Sequence, residues 1–415
     1  MKRLSKFLRL GMLSVAMALP AFAVSAEEIT WWAPNWGEER AQKLVKDFQA
    51  ANPDVTVKLE ITVSNGLQNR IEVALRSGSP PDLIDTSMQW VIPFASSGKL
   101  LDLDQFAKEQ VKLDDLLPAT LDSTRYNGHI YGLPYRAQTL ALIYNKALYR
   151  DAGLDPENPP KTWDEFIKAS QAMTKTNAAG KQQYGIGVAG GGELGNLITR
   201  MVPFMWMNGG DVLNADFTKA IVNEKPAVEA VEFYTAPLTK YKIAPPSTLQ
   251  NDGLALRKLF DAGTVAQYFS GQYDLPAIKQ EAPDLEIGVA PFPHPEGKQT
   301  AGILSGWAFV VPADSKHKDA ALRLAKFLML PENQGYYTDT FPASISAMDL
   351  PRFKDPLLQP FKEMLKFTKP APSTPVWIKA QQILFAHTQE VLLGSATAQE
   401  AMDTAADEIN DALAR

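Results

Sequence analysis

Val55-Thr56-Val57-Lys58-Leu59-Glu60-Ile61-Thr62-Val63 alternates apolar and polar side chains without a break, the pattern of a strand with one face in a core. Before it, Ala41, Leu44, Val45 and Phe48 fall at i, i+3, i+4 and i+7, one face of a helix over 38–50 that Asn52-Pro53-Asp54 ends. Further back, Ile29-Thr30-Trp31-Trp32 is a short β-rich run broken by Pro34. After the alternating stretch, a helix is predicted over 67–77, stopping at Gly78-Ser79-Pro80-Pro81, and Asp82-Leu83-Ile84 follows as a short buried strand. The order β-α-β-α-β predicts a doubly wound α/β layer, and such sheets take ligands beyond the carboxyl ends of their strands. Residues 33–37 and 86–90 are therefore the first places to look for a site.

Downstream the pattern changes. Thr162 and Glu165 have the spacing of a capping box. Helices are predicted over 226–238, 254–261 and 319–330, and from Ala380 to the end. Strand-like runs fall at 184–188, 264–269, 285–290 and 306–311. No Pro, Gly or Ser run is long enough for a flexible linker, and no internal repeat is present. Two α/β lobes joined by short crossovers fit this better than two domains on a string.

The chain has 415 residues, a two-domain length, with 45% hydrophobic and 21% charged residues, the composition of a soluble globular protein. Its formal charge of −6 leaves no basic balance to draw it towards nucleic acid. Lys2, Arg3, Lys6 and Arg9 precede an apolar run from Leu10 to Val24, and Val24-Ser25-Ala26 has the small residues of a cleavage site. Residues 1–26 thus read as a signal peptide, the alternative being a membrane anchor, for which the run is short. Its removal lowers the formal charge to −10. There is no cysteine, hence no disulfide, thiolate metal site, cysteine nucleophile or lipidated N-terminal cysteine. The expectation is a free periplasmic protein, by default a monomer.

Catalytic signatures are scarce. The histidines at 129, 294, 317 and 387 have no metal-ligand spacing, so no metal site is expected. Ser305 in Gly302-Ile303-Leu304-Ser305-Gly306 is one residue out of step with a nucleophile elbow, and no G-K-[ST] occurs. Gly190-Gly191-Gly192-Glu193-Leu194-Gly195 satisfies G-x-G-x-x-G, but free dinucleotide is not expected outside the cytoplasm. A mobile loop beside a pocket, with Glu193 as a polar contact, is the preferred reading, and no cofactor is expected. Tyr336-Tyr337 invites a ferric site, against which stands a helix start that would turn one ring inward.

Aromatics beside amides carry more information. Trp36 follows Asn35, Trp90 follows Gln89, Trp206 precedes Asn208 by two, and Tyr273 follows Gln272; Trp307 and Trp377 also lie near element ends. Sugar rings stack their C–H faces on indoles and need polar partners for their hydroxyls. Core packing is the alternative for any single tryptophan; six such places in an exported chain point to a small carbohydrate ligand.

Arg125-Tyr126-Asn127-Gly128-His129-Ile130-Tyr131-Gly132-Leu133-Pro134 with Leu142-Ile143-Tyr144-Asn145-Lys146 resembles the central signature of the maltose-binding-protein-like solute-binding family. Pro160-Lys161-Thr162-Trp163-Asp164-Glu165-Phe166, Phe260-Asp261-Ala262-Gly263-Thr264-Val265-Ala266 and Leu304-Ser305-Gly306-Trp307 follow in the same order, so the likeness spans the mature chain. It implies a two-lobed periplasmic-binding-protein fold, a hinge of crossover segments and a ligand cleft between the lobes. The crossovers are expected near 135–140, 290–292 and 341–343, giving one lobe of 27–138 and 291–341 and another of 139–290 and 342–415. It also implies closure of the hinge on a sugar and delivery to the membrane subunits of an ABC importer.

On this resemblance Tyr273 takes a stacking position, and Gln138 and Gln89 replace acids that accept sugar hydroxyls in the maltose binder. Ser305, Gly306 and Trp307 match a sugar-contacting loop, and Trp377 matches a C-terminal stacking tryptophan. Tyr135 and Arg136 lie at the first crossover. Arg136 has two readings: a ligand anchor, which would admit a sugar acid or glycerol phosphate, or a structural ion pair. An exported glycoside hydrolase is a further alternative and would need two acids across the cleft.

Overall fold

The computed structural model describes residues 26–63, 66–177 and 180–414, so the expected signal peptide lies, but for Ala26, outside the described residues. The opening β-α-β-α-β reading holds, as strands Glu27–Pro34, Val55–Thr62 and Leu83–Ser87 with helices Glu38–Ala51 and Leu67–Ser77 between them. The first of these strands lies between the other two, parallel to both. Gly302–Val310 then adds antiparallel to Leu83–Ser87, Leu133–Gln138 adds antiparallel to that, and Phe341–Pro342 ends the sheet. Ile29, Trp31, Leu44, Phe48, Leu83, Phe309 and Leu324 meet in its core.

A second sheet of three antiparallel strands has Leu140–Asn145 in the middle, flanked by Gln267–Gly271 and Ile287–Ala290. The central strand is aliphatic or aromatic from Leu140 to Tyr144 because both of its faces are covered. Leu140, Leu142 and Tyr144 join a core with Phe166, Phe204, Phe269 and Trp377, whereas Ala141 and Ile143 join Leu256, Phe260 and Phe361. The expected strand at 184–188 contributes only isolated bridges, Tyr184 to Val265 and Gly187 to Tyr268. The C-terminal segment is two helices, Trp377–Leu393 and Ala398–Leu413, with Gly394 in the left-handed conformation ending the first. Thr162 and Glu165 form the capping box of helix Trp163–Met173, worth about 1 kcal/mol.

Each sheet has its own core, which makes two lobes. The chain passes between sheets at Thr139, the single residue between Gln138 and Leu140, and again between Ala290 and Gly302. After Phe341–Pro342 in the first sheet, Met348, Phe353 and Phe361 pack on the second. Among the described residues no helix is long and apolar enough to cross a membrane.

Candidate functional site

In the first lobe, strand Glu27–Pro34 runs into a 3-10 turn, Asn35–Gly37, that presents Asn35 exposed and Trp36 half-buried. Arg40 pins the turn by donating to the Trp36 carbonyl at 2.9 Å, and Gly37 admits the Tyr337 ring where a Cβ would lie 2.8 Å from it. Trp36 meets Trp307 edge-on at 5.6 Å, and Trp307 meets Trp90 at 6.5 Å. Trp90 and Gln89 belong to helix Met88–Ser96, which follows strand Leu83–Ser87 directly. Both stretches marked out by the strand ends thus deliver indoles to one place. Ser305 pairs with Gln138 and Gly306 with Ala137; a Cβ on Gly306 would lie 1.9 Å from the Arg136 carbonyl oxygen.

Arg136 is 4% exposed and held by three contacts. Its Nη2 lies 2.8 Å from Asp339, its Nε donates to Thr340 Oγ1 at 3.0 Å, and its face covers Trp36 at 4.2 Å. These contacts favour the structural reading of Arg136, an ion pair with Asp339. Tyr135 is likewise internal rather than facing the cleft: its ring stacks on Phe309 at 4.2 Å and its hydroxyl donates to Asp85. Asp85 is a hub that sequence reading missed, because the strand was ended at Ile84. It accepts from Trp31 Nε1 at 3.1 Å, Tyr135 at 3.2 Å and Tyr337 at 2.5 Å. Burial nevertheless pushes its carboxyl up to about 7, with those three bonds and the Arg136 charge acting the other way. Tyr337 is thus occupied, and Tyr336 is exposed beside Lys43, so the two phenols do not form a ferric pair.

In the second lobe, Glu193 precedes helix Leu194–Asn208 and accepts from the Gly66 backbone N–H of the first lobe. Desolvation and the Asp252 charge raise its carboxyl, and the Gly66 bond opposes them. Gln272 follows strand Gln267–Gly271 and is 2% exposed, with neither end of its amide hydrogen-bonded. Tyr273 folds its ring over Gly271, where a Cβ would be 2.1 Å away. Trp377 begins its helix buried, with Nε1 unpartnered, and Gln381 one turn later donates to Gln89 Oε1 of the first lobe at 2.9 Å. Trp36 Nε1 and Gln138 Oε1 are unpartnered as well. Between the lobes lies a cavity of about 280 Å³, lined by Gln68, Asn69 and Trp90 on one side and Glu193, Gln381 and Gln382 on the other. Among the described residues no lysine or arginine lines it.

Trp206 and Asn208 are not brought to this place. They lie at the far end of helix Leu194–Asn208, roughly 20 Å from Glu193 at 1.5 Å per residue. Trp206 Nε1 donates to Asp211 at 2.8 Å, and the Asn208 side chain is held by Pro226, Glu229 and Lys298. The first glycines of the motif pack closely, and its end, from Glu193 to Gly195, lies beside the cavity. Gly190 and Gly191 both donate to the Asn251 carbonyl, and a Cβ on either would lie within 2.8 Å of backbone at Thr248 or Leu249. Arg200, also missed, donates to the Phe269 and Asn196 carbonyls and keeps Nη2 unpartnered beside the helix start at Gly253. His129 sits between Asp102 at 2.9 Å and Asp104 at 3.1 Å on an exposed hairpin.

Residues 35–335 match the family described as bacterial extracellular solute-binding protein. The chain is 29% identical to a mannitol-binding protein of Pseudomonas aeruginosa over 75% of this chain and 71% of that one. It is 25% identical to a maltotriose-binding protein of Pyrococcus abyssi, over 80% and 70%. Among solved structures, an ABC transporter solute-binding protein of Thermotoga lettingae with bound α-D-tagatose superposes with a TM-score of 0.85 at 27% identity, over 94% of this chain and all of that one.

Proposed function

The chain belongs to the bacterial extracellular solute-binding protein family, and from that premise we propose that it captures a neutral sugar or polyol between its lobes and hands it to an ABC importer. One observation carries the reading: Trp90, packed on Trp307 and through it on Trp36, lines with Gln68 and Asn69 a cavity whose other side is Glu193, Gln381 and Gln382, and among the described residues no basic side chain lines it. Indoles stack on sugar C–H faces, and amides exchange donor and acceptor bonds with hydroxyls. The mannitol, maltotriose and tagatose named for the similar proteins are all neutral polyhydroxylated solutes. A sugar acid or glycerol phosphate would meet Glu193, and Arg136, the cation of its anchor reading, is paired with Asp339. Arg200 has a free Nη2, and the negative charge of Asp274 lies near enough to act on it.

Delivery follows from closure. A ligand touching both lobes favours the closed form by as much as it prefers that form over the open one. The lobes of this reading are 27–138 with 291–341, and 139–290 with 342–415, in a protein exported by a cleaved signal and free in the periplasm.

Thermal unfolding of residues 27–415 with mannitol, tagatose, maltose, maltotriose, glucuronate and glycerol 3-phosphate tests it. A ligand at 100 times its Kd stabilises by about 2.7 kcal/mol, a rise of roughly 3 °C for a chain of this size. A rise with one neutral compound and none with the two acids is the expected result. A rise with the acids alone overturns the neutral-ligand reading.

A further inference from the structure

Two glutamines on one strand path of the second lobe are equally buried and treated differently. Gln267, 0% exposed, is satisfied at both ends: it accepts from Tyr149 at 2.5 Å and donates to Ser170 at 2.8 Å. Gln272, five residues on and 2% exposed, is satisfied at neither. Gln183 and Gln334, also buried, each donate to a backbone carbonyl. A glutamine kept for structure is bonded in this protein; Gln272 is not.

Its position gives the difference a meaning. Strand Gln267–Gly271 ends opposite Leu140, the first residue beyond the Thr139 crossover, so Gln272 stands at the pivot on the second lobe. Gln138, the last residue before the crossover, stands there on the first, and its Oε1 is also unpartnered. Two amides thus flank the pivot, one from each lobe. Water satisfies such groups in an open cleft, whereas enclosing one without a partner disfavours the enclosed state by roughly 5- to 150-fold. A hydroxyl both donates and accepts, so it answers the two ends of an amide; a carboxylate or phosphate oxygen answers only the N–H.

We propose that Gln272 makes closure of the cleft conditional on a hydroxyl-bearing ligand, opposing closure of the unliganded protein and selecting neutral hydroxyls over anionic oxygens. The direct interlobe bond from Gln381 to Gln89 acts in the other direction, and the balance between the two is what a ligand tips. The proposal rests on the neutral-ligand reading for the chemistry of its ligand, not for the existence of the gate.

The test is the distance between lobes in single molecules. The chain has no cysteine, so Val73→Cys and Leu393→Cys, at exposed positions of the two lobes, accept a dye pair without interference. In that background Gln272→Met keeps length and removes both polar ends. The unliganded variant is expected to populate the closed distance at least fivefold more than the parent, while its affinity for the sugar that stabilises the parent falls about tenfold. Opposite signs in the two readouts are what a structural role would not produce. An unchanged or more open unliganded distribution in a variant with parental melting overturns the proposal. Gln138→Met, expected to shift the same way, serves if Gln272→Met does not fold. If the parent responds to no sugar while Gln272→Met still closes unliganded, the gate stands and the neutral-ligand reading falls. Closure of the parent by a sugar with no added closure in Gln272→Met has the reverse meaning.

Discussion

The two lobes differ in how they brace the residues beside the crossover. In the first lobe Trp36, Trp90 and Trp307 pack on one another, Arg136 is held by Asp339 and Thr340, and Asp85 gathers three donors, while Trp36 Nε1 and Gln138 Oε1 keep no partner. In the second lobe Gln272, Trp377 and Arg200 are buried and each keeps polar atoms without a partner, Gln272 at both ends of its amide. The difference is one of degree: the first lobe couples its few unspent polar atoms to a braced aromatic cluster, and the second leaves a whole buried amide unspent.

The sharpest way to break the comparison is to disturb the interior order of the first lobe. Asp85 has its proton affinity raised to about 7, above its value in the unfolded chain. Between pH 4 and 7 the folded protein therefore holds a proton that the unfolded chain has lost, so stability falls as pH rises through this window. The loss is on the order of 4 kcal/mol and is complete above about pH 7. Denaturant midpoints at pH 4.5 and 8 should show it in the parent and a flatter profile in Asp85→Asn; equal slopes would mean the hub is not strained. Next in size is Arg136→Met, which leaves Asp339 without its partner and should cost about 3 kcal/mol of stability. Calorimetry showing normal melting but altered choice between neutral and acidic ligands would return Arg136 to a binding role.

Smaller effects sharpen the comparison. Trp36→Ala should weaken sugar binding by about 2 kcal/mol in titration calorimetry, roughly thirtyfold, as a half-buried indole at one end of the aromatic cluster. Trp206→Phe should leave affinity unchanged and cost only about 1 kcal/mol of stability, the bond to Asp211. A matching loss of affinity there would mean that the binding surface reaches the far end of its helix.

Most of the framework was legible because periodicity is local. The alternation of 55–63, the helix at 67–77 and the Thr162 cap each depend on neighbours in sequence. The crossover at Thr139 was legible only through a family resemblance, since nothing in Gln138-Thr139-Leu140 announces a change of sheet. The aromatic-amide pairs pointed to Trp36, Trp90, Gln89 and Gln272 and equally to Trp206, for a physical reason: an indole N–H needs a partner whether it faces a ligand or Asp211. Asp85 was missed because its three partners lie on different elements, at Trp31, Tyr135 and Tyr337, and no short stretch brings them together. Arg200 and Gln381 were missed for the same reason, although Gln381 falls one helical turn after Trp377 and so shares its face.

The Asp85 hub also gives the protein an optical property. Trp31 donates its indole N–H directly to a carboxylate whose charge changes near neutrality, and two phenols complete the shell. The electric field along that indole switches with one proton, so its emission should shift with pH, while Trp90, which lines the interlobe cavity, should respond to a ligand held there. Trp31→Phe would separate the two signals. Unlabelled protein then reports its internal protonation and its ligand as independent spectral components, one rooted in the interior of a lobe and the other at its face.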